Sequence, residues 1–311
     1  RKGFIDIIQL SGGEPTIHPE FFELLDWTLD QKDIGYILIN TNGVRVAHDA
    51  AFREELGARR RNGARFELYL QFDGPQEDGQ RALRNADLRE TRRRAVDDAG
   101  ALGIPTTLAM TITPTTMPFL GDTLRWAISR PHVRGITFQP MFTSGRVPDV
   151  DTALPMSTPV PISVGDVIIN LIEQAPELVS VEDFTPLPCG DPNCHTIGYL
   201  LRTGEDLREV VGLSQCIDVP AMQGFLNNRV DYNLETLRAC GCETEPLGEV
   251  LKQLELSSEQ PFRMFIKPFM DAWTFDQDRI DRCCTHVITP DGSLDSFCRY
   301  YLNGGATGGG R

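Results

Sequence analysis

Gln9-Leu10-Ser11-Gly12-Gly13-Glu14-Pro15-Thr16-Ile17-His18-Pro19, followed by Phe21-Phe22, is the stretch on which the reading of this chain turns. It leaves an apolar run, Phe4–Leu10, that reads as a buried strand. Gly12 and Gly13 remove side chains, so a ligand can lie against bare backbone. The Glu14 carboxylate can accept charge-assisted hydrogen bonds from an ammonium group. Taken alone, the same residues equally describe a tight turn with a surface glutamate. A helix is expected to begin near Pro19, because the missing N–H of proline costs nothing in a first helical turn. Phe21, Leu24, Leu25 and Thr28 fall on one face of it, flanked by Phe22 and Leu29. His18, at its start, reads as a capping or packing residue.

Outward from this turn the chain alternates. Tyr36–Asn40 reads as a strand ending in Thr41-Asn42-Gly43, and Phe66–Phe72 as another ending in Asp73-Gly74. A helix over Leu88–Leu102 leads to the strand Thr106–Ile112, and a helix over Leu120–Ser129 to the strand Gly135–Pro140. Such alternation calls for a parallel sheet with helices packed against it. Ligands in parallel α/β folds collect at the carboxyl edge of the strands, which nominates Glu14, Asn42, Asp73, Thr111 and Gln139. Asp73 either offers its carboxylate to ligand hydroxyls or caps a turn, as aspartate commonly does. After Arg146 the rhythm breaks. A proline-rich connection (Pro148, Pro155, Pro159, Pro161) precedes one helix, Gly165–Gln174. The remainder reads as irregular and cysteine-bearing, with Gly304–Gly310 a disordered tail. No internal repeat is evident.

The 311 residues carry a formal net charge of −14, and lysine occurs only at positions 2, 32, 252 and 267. That balance argues against a nucleic-acid partner. The arginine runs Arg59–Arg61 and Arg92–Arg94 read as solvated helix faces. No signal-peptide pattern opens the chain and no apolar run approaches the roughly 20 residues of a membrane span, so a cytoplasmic location is expected. None of the eight cysteines falls in the first 188 residues; five lie between 189 and 242 and three between 283 and 298. This segregation points to a metal site in the C-terminal half rather than to disulfides. Pro188-Cys189-Gly190-Asp191-Pro192-Asn193-Cys194 is one pair in a turn-rich loop. Cys283-Cys284-Thr285-His286 and Phe297-Cys298 supply the other. Two such pairs can furnish the ligands of a [4Fe-4S] cluster or of a tetrahedral zinc ion. Adjacent Cys283 and Cys284 point apart, so one of them serves a given site. Cys216, Cys240 and Cys242 receive no assignment.

The run Gln9–Pro19 resembles the glycine–glycine–glutamate motif of radical S-adenosylmethionine (AdoMet) enzymes. The resemblance extends through Thr41-Asn42-Gly43, Gln71-Phe72-Asp73-Gly74 and Phe138-Gln139-Pro140. It implies a partial (β/α)6 radical SAM barrel lacking its first strand (residues 1–146), with a cysteine-rich C-terminal extension (residues 147–311). It further implies that Gly12, Gly13 and Glu14 hold the methionyl amino group of AdoMet, and that Gln71 and Asp73 face its ribose. Asn42, Thr111 and Gln139 complete the expected cofactor site. The family's C-x3-C-x2-C loop, which holds the [4Fe-4S] cluster that generates the 5′-deoxyadenosyl radical, is not in this sequence. The chain is therefore expected to be truncated and, by itself, inactive.

Ser144-Gly145-Arg146, Asp183-Phe184-Thr185-Pro186-Leu187-Pro188-Cys189 and Phe269-Met270-Asp271, with the downstream cysteines, are similar to the subfamily of archaeal tetraether lipid synthases. Members of that subfamily are also labelled pterin methyltransferases. The resemblance implies an auxiliary [4Fe-4S] cluster on Cys189, Cys194, Cys283 or Cys284, and Cys298. It also implies an electron donor such as ferredoxin or flavodoxin. Phe138–Phe142 and Phe262–Phe275, rich in Phe, Met and Trp, are expected to wall the site and to favour an apolar small-molecule or lipid substrate. A pterin-methylating enzyme and a metal-binding scaffold without catalysis are the alternatives.

Overall fold

The computed structural model describes residues 3–142, 161–186, 191–204, 206–215 and 259–303. The expectations for Ser144-Gly145-Arg146, Cys189, Cys216, Cys240, Cys242 and the glycine tail lie outside them.

Five parallel strands stand where the alternation places them: β1 (Ile5–Leu10), β2 (Ile34–Thr41), β3 (Phe66–Gln71), β4 (Thr106–Ile112) and β5 (Val133–Pro140). They pair in sequence order, each with the next, all parallel. Helices cover the connections: α1 (Phe21–Leu29), α2 (Val44–His48), α3 (Ala50–Arg61), α4 (Glu77–Arg84), α5 (Arg89–Ala101), α6 (Leu120–Ile128) and α7 (Val164–Gln174). The chain is thus α/β with an open parallel sheet. Period-two alternation sends Ile37, Ile39, Leu68, Leu70, Leu108, Met110, Ile136 and Phe138 to the helix-covered face, where all join one buried apolar cluster. Complete burial of each such side chain contributes about 1.5–3 kcal/mol. The opposite face carries Gln9, Asn40, Tyr69, Gln71, Thr107, Thr111, Thr137 and Gln139.

Two local expectations are revised and the capping reading of His18 stands. The first helix begins at Phe21, and it is Pro15 that occupies the first position of a short 3-10 turn, Pro15–Ile17. Phe21, Leu25 and Thr28 are buried as the helical spacing requires, but Leu24 is exposed. His18 acts as a local cap, its Nδ1 accepting from the Glu20 amide at 3.2 Å.

The described residues of the C-terminal half form more regular elements than their sequence suggests. β9 (Pro261–Ile266) adds a sixth parallel strand beside β5. β7 (Thr196–Thr203) then pairs antiparallel with β9, and β6 (Phe184–Pro186) and β8 (Glu209–Gly212) pair antiparallel with β7. Phe184, Leu200, Phe262, Met264 and Ile266 belong to the same apolar cluster as the first five strands. A small hairpin, β10 (His286–Ile288) with β11 (Leu294–Ser296), and two short helices, α8 (Gln277–Asp281) and α9 (Phe297–Leu302), complete the described chain.

Arg202 ties this extension to the parallel sheet. It is fully buried, and its guanidinium donates to the carbonyls of Ile128 at 2.9 Å, Arg130 at 3.0 Å, Val133 at 2.8 Å and Glu259 at 2.8 Å. Burial lowers its pKa to about 10, which leaves it charged at neutral pH. Arg202→Met is expected to destabilise the protein by about 3 kcal/mol, because it strands several buried carbonyls at once. Urea unfolding of the two proteins measures the difference.

Candidate functional site

The carboxyl ends of β1–β5 bring the nominated residues to one edge. At the β1 end, Gly12 and Gly13 have φ of +102° and +87°, a region that L side chains rarely adopt. Among the described residues no atom lies within 4 Å of where a Cβ would stand on either glycine. The turn therefore borders open space, as a backbone surface meant for a ligand would. Glu14 is fixed from the neighbouring strand. Its Oε1 accepts from the hydroxyls of Thr16 at 2.6 Å and Thr41 at 2.8 Å, and its Oε2 from the Asn42 amide at 2.6 Å. Asn42 turns its own Oδ1 to the Val44 amide at 2.9 Å, starting α2. Beside them Gln9 donates to Asn40, which in turn donates to Ser11 at 3.1 Å.

At the β3 end the arrangement differs from a carboxylate waiting for ligand hydroxyls. Asp73 is fully buried at φ +59°. Its Oδ1 accepts from the Thr111 amide at 3.0 Å and its Oδ2 from Arg84 Nε at 2.7 Å. Arg84, on α4, also reaches the Thr111 hydroxyl at 3.3 Å. In the amide orientation that the hydrogen-bond network assigns, Gln71 accepts from both terminal nitrogens of Arg84. Gln71, Asp73 and Thr111 are thus brought together, through an arginine that sequence reasoning passed over. The available signal was a strand-end carboxylate followed by a helix ending in arginine. Gln139, on β5, donates to the Tyr69 hydroxyl at 2.8 Å across the same face.

Beneath these groups lies Arg92. It is 1% exposed, and its Nε and Nη1 have no hydrogen-bond partner among the described residues. Burial lowers its pKa to about 10, while the charges of Asp73 and Glu14 act to raise it. The solvated-face reading of its run is corrected at this position. α5 turns Arg92 inward with Ala95, Val96 and Ala99, one helical stripe. Arg93 and Arg94 keep to the surface in exposed ion pairs with Glu90, Asp97 and Asp98.

Phe138, Phe262 and Met264 do not wall the site. They are fully buried in the helix-side core, because alternation gives the other face to Gln139 and Arg263. The aromatic groups that do gather beyond the β5 and β9 ends are Phe142, Phe269, Phe297 and Tyr301, with successive ring centroids 5.2, 4.7 and 4.6 Å apart. A cavity of about 390 Å³ lies outside the sheet against the stacked Phe72–Trp126 pair. Its charged residues Asp87, Arg89, Glu90 and Arg93 are already ion-paired.

The cysteine region is assembled by contacts between distant loops. Arg282 bonds Asp191 at 3.0 Å, and the Phe297 amide bonds the Thr285 carbonyl at 2.9 Å. Cys194, Cys283 and Cys298 are free thiols. Burial is the main cause that raises the pKa values of Cys194 and Cys283, and the charges of neighbouring cysteines add to it. Cys284 is exposed. Among the described residues no group of three or more His, Cys, Asp or Glu side chains is placed to hold a metal ion as it stands. No helix among them is long and apolar enough to cross a membrane.

Residues 1–127 match the family model of the Radical SAM superfamily. Over 94% of its length the chain is 25% identical to the 7,8-dihydro-6-hydroxymethylpterin dimethyltransferase of Methanocaldococcus jannaschii, and it spans 66% of that protein, just under two thirds. Two solved structures of anSMEcpe are also similar, a hexahistidine-tagged form with bound AdoMet and a native form with AdoMet and the Cp18Cys peptide. Each is 18% identical, covers 55% of this chain and has a TM-score of 0.38, with 44% and 46% of the respective neighbour matched. The strand-end glycine–glycine–glutamate turn lies within the residues that match the Radical SAM superfamily model.

Proposed function

We propose that the protein is a radical AdoMet enzyme that acts on a compact polar substrate of the pterin class, in a methyl-transfer reaction. The observation that carries this reading is the polar face of the parallel sheet. From Gln9 and Asn40 through Tyr69, Gln71 and Thr111 to Gln139, that face offers fixed donors and acceptors. A flat heterocycle needs several of these, and an alkyl chain needs none. The pterin named in the Methanocaldococcus jannaschii relative supports the same class. A lipid substrate, the first expectation from the sequence, loses its main support once Phe138, Phe262 and Met264 are core.

In this reading Gly12 and Gly13 give AdoMet a bare backbone surface, and Glu14 accepts from its ammonium group. Arg84, aimed by Asp73, Gln71 and Thr111, presents a guanidinium to the site. These residues fit AdoMet on the open space at the glycines. The first 188 residues contain no cysteine, so they supply no ligand for the radical-generating [4Fe-4S] cluster. Residues 1–146 form the core of this reading. Residues 147–311 form the extension, with the cysteines Cys194, Cys283 and Cys298 as its metal-binding groups and an external ferredoxin or flavodoxin as electron donor.

Binding separates the two substrate classes without turnover. A dihydropterin titrated in the presence of AdoMet should show saturable fluorescence quenching, weakened about tenfold or more by Gln139→Ala if one good hydrogen bond to the ring is lost. A dispersed dialkyl lipid should not compete. Saturable lipid binding that displaces AdoMet-dependent quenching, or no pterin binding at all, would overturn the assignment.

A further inference from the structure

The polar face that carries the proposed function does not end at Gln139. Phe138 on β5, Ile266 on β9 and Thr196 on β7 are direct cross-strand partners. The next residue towards the site on each strand is Gln139, Lys267 and, because β7 runs the opposite way, His195. The Lys267 amide donates to the Phe138 carbonyl at 2.9 Å, which carries the pairing of β5 and β9 one step further. Phe138 and Ile266 lie in the helix-side core, so the pleat turns these three neighbours to the site face. Deeper on that face, two positions back along β9 and β7, are Phe265 and Ile197. Both are buried, and neither belongs to the helix-side core. The result is an apolar floor with three nitrogen-bearing side chains along its rim, a pattern that suits a flat heterocycle.

His195 is the rim group with a place left for a ligand. It is 6% exposed, and its Nδ1 has no hydrogen-bond partner among the described residues. Its Nε2 stands 3.6 Å from Cys194 Sγ, an ordinary hydrogen bond to sulfur. A neutral ring that donates from Nε2 to the sulfur keeps its lone pair on Nδ1. A buried acceptor left unpaired costs stability, and a ligand N–H removes that cost.

We infer that His195 Nδ1 accepts from a ring N–H of the substrate while the Lys267 ammonium donates to the adjacent ring carbonyl, so that the two residues hold the lactam edge of the heterocycle. The inference rests on the pterin reading and names the groups that decide which heterocycle fits. A pterin carries such an edge, a carbonyl next to an N–H. The charges of Lys267 and Arg279 both reach the His195 ring, a setting that favours an electron-rich carbonyl edge.

Fluorescence titration in the presence of AdoMet tests this with two ligands, a dihydropterin and a diaminopteridine. In the second an amino group replaces the carbonyl and the neighbouring N–H is lost. The diamino ring sets an acceptor against Nδ1 and a donor against Lys267, so the protein should bind the dihydropterin about tenfold tighter or more. His195→Leu fills the space of the ring and removes the acceptor. It should weaken the dihydropterin about tenfold and the diamino ring hardly at all, so that the preference collapses. His195→Asn, whose Oδ1 can stand near the place of Nδ1, should restore the preference. Lys267→Met, which leaves the His195 loop untouched, should lose it again. AdoMet affinity should stay unchanged in all three. A preference that survives in His195→Leu, while Gln139→Ala still weakens the dihydropterin, would overturn the inference and leave the pterin reading intact. An equal loss of both ligands that His195→Asn does not repair would do the same, since it marks a structural role. No binding of the dihydropterin by the parent protein would overturn both.

Discussion

Replacing Asp73 with alanine is expected to cost about 3 kcal/mol of folding stability, the typical penalty for removing one partner of a buried ion pair. Asp73 has no exposed surface, while Arg84 is a quarter exposed. The arginine can thus recover some hydration, which holds the figure to the lower part of the range. Two further losses accompany the charge: the Thr111 amide loses its acceptor, and alanine must adopt the φ of +59° that aspartate tolerates better. Asp73→Asn separates these contributions, since asparagine keeps the conformation and loses the charge. Arg84→Met should cost less, and the double variant Asp73→Ala/Arg84→Met should be more stable than the sum of the single losses predicts, by about 1 kcal/mol or more. Urea unfolding of the four proteins gives the cycle. If Asp73 were purely a ligand-binding carboxylate, Asp73→Ala would leave the unfolding midpoint in place and lower AdoMet affinity alone.

This reassigns how Asp73 serves the site, and it shows what the sequence could and could not carry. The strand-end position of Asp73 is legible, because an apolar run followed by Asp-Gly ends a buried strand. Its occupation by Arg84 is not. That depends on α4 folding back over the edge, and α4, with only Ala82 and Leu83 apolar among its eight residues, gives no apolar stripe to say which way it packs. Arg92 was misread for a related reason. A run of three arginines reads as surface by composition, yet a helix turns successive residues about 100° apart, and only the first of the three shares the stripe of Ala95, Val96 and Ala99.

The first half of the fold was legible because each of its strands carries an apolar residue at every second position and ends in a polar or glycine turn. The second half was hidden by residues that read as strand breakers. Gly198 and Arg202 interrupt β7, and Arg263 interrupts β9. Each is buried or closely packed: Arg202 is solvated by carbonyls, and a Cβ on Gly198 would stand 2.8 Å from the Phe184 ring. Charges inside strands look like loop signals until their partners are known, and those partners are remote: Arg202 bonds carbonyls on the Ile128–Val133 stretch and at Glu259, and Arg263 pairs with Glu67. The substrate reading was blurred by the strand's own pleat. Phe138 and Gln139 are neighbours in sequence, but the pleat assigns one to the core and the other to the site.

Gly13→Ala gives the most direct measure of whether the open space at the glycine turn is a binding surface. The φ of +87° at Gly13 makes an alanine there strained by about 1–2 kcal/mol, yet the space its Cβ would enter holds no described atom within 4 Å. The folding cost should therefore stay within that strain, and urea unfolding should show a fully cooperative protein. AdoMet affinity should fall by much more, on the order of a hundredfold, because the methyl group occupies the surface on which the ligand lies and also disturbs the placement of Glu14. Glu14→Ala provides the control for the second effect. It releases the Thr41 hydroxyl and the Asn42 amide, removes the ammonium acceptor and leaves the backbone surface clear, so its loss should be about ten- to hundredfold. Titration calorimetry on the folded variants reads both. An alanine at position 13 that costs only its strain in stability and nothing in AdoMet affinity would mean that the ligand lies elsewhere, and the turn would then be no more than the link between β1 and the helix that follows it.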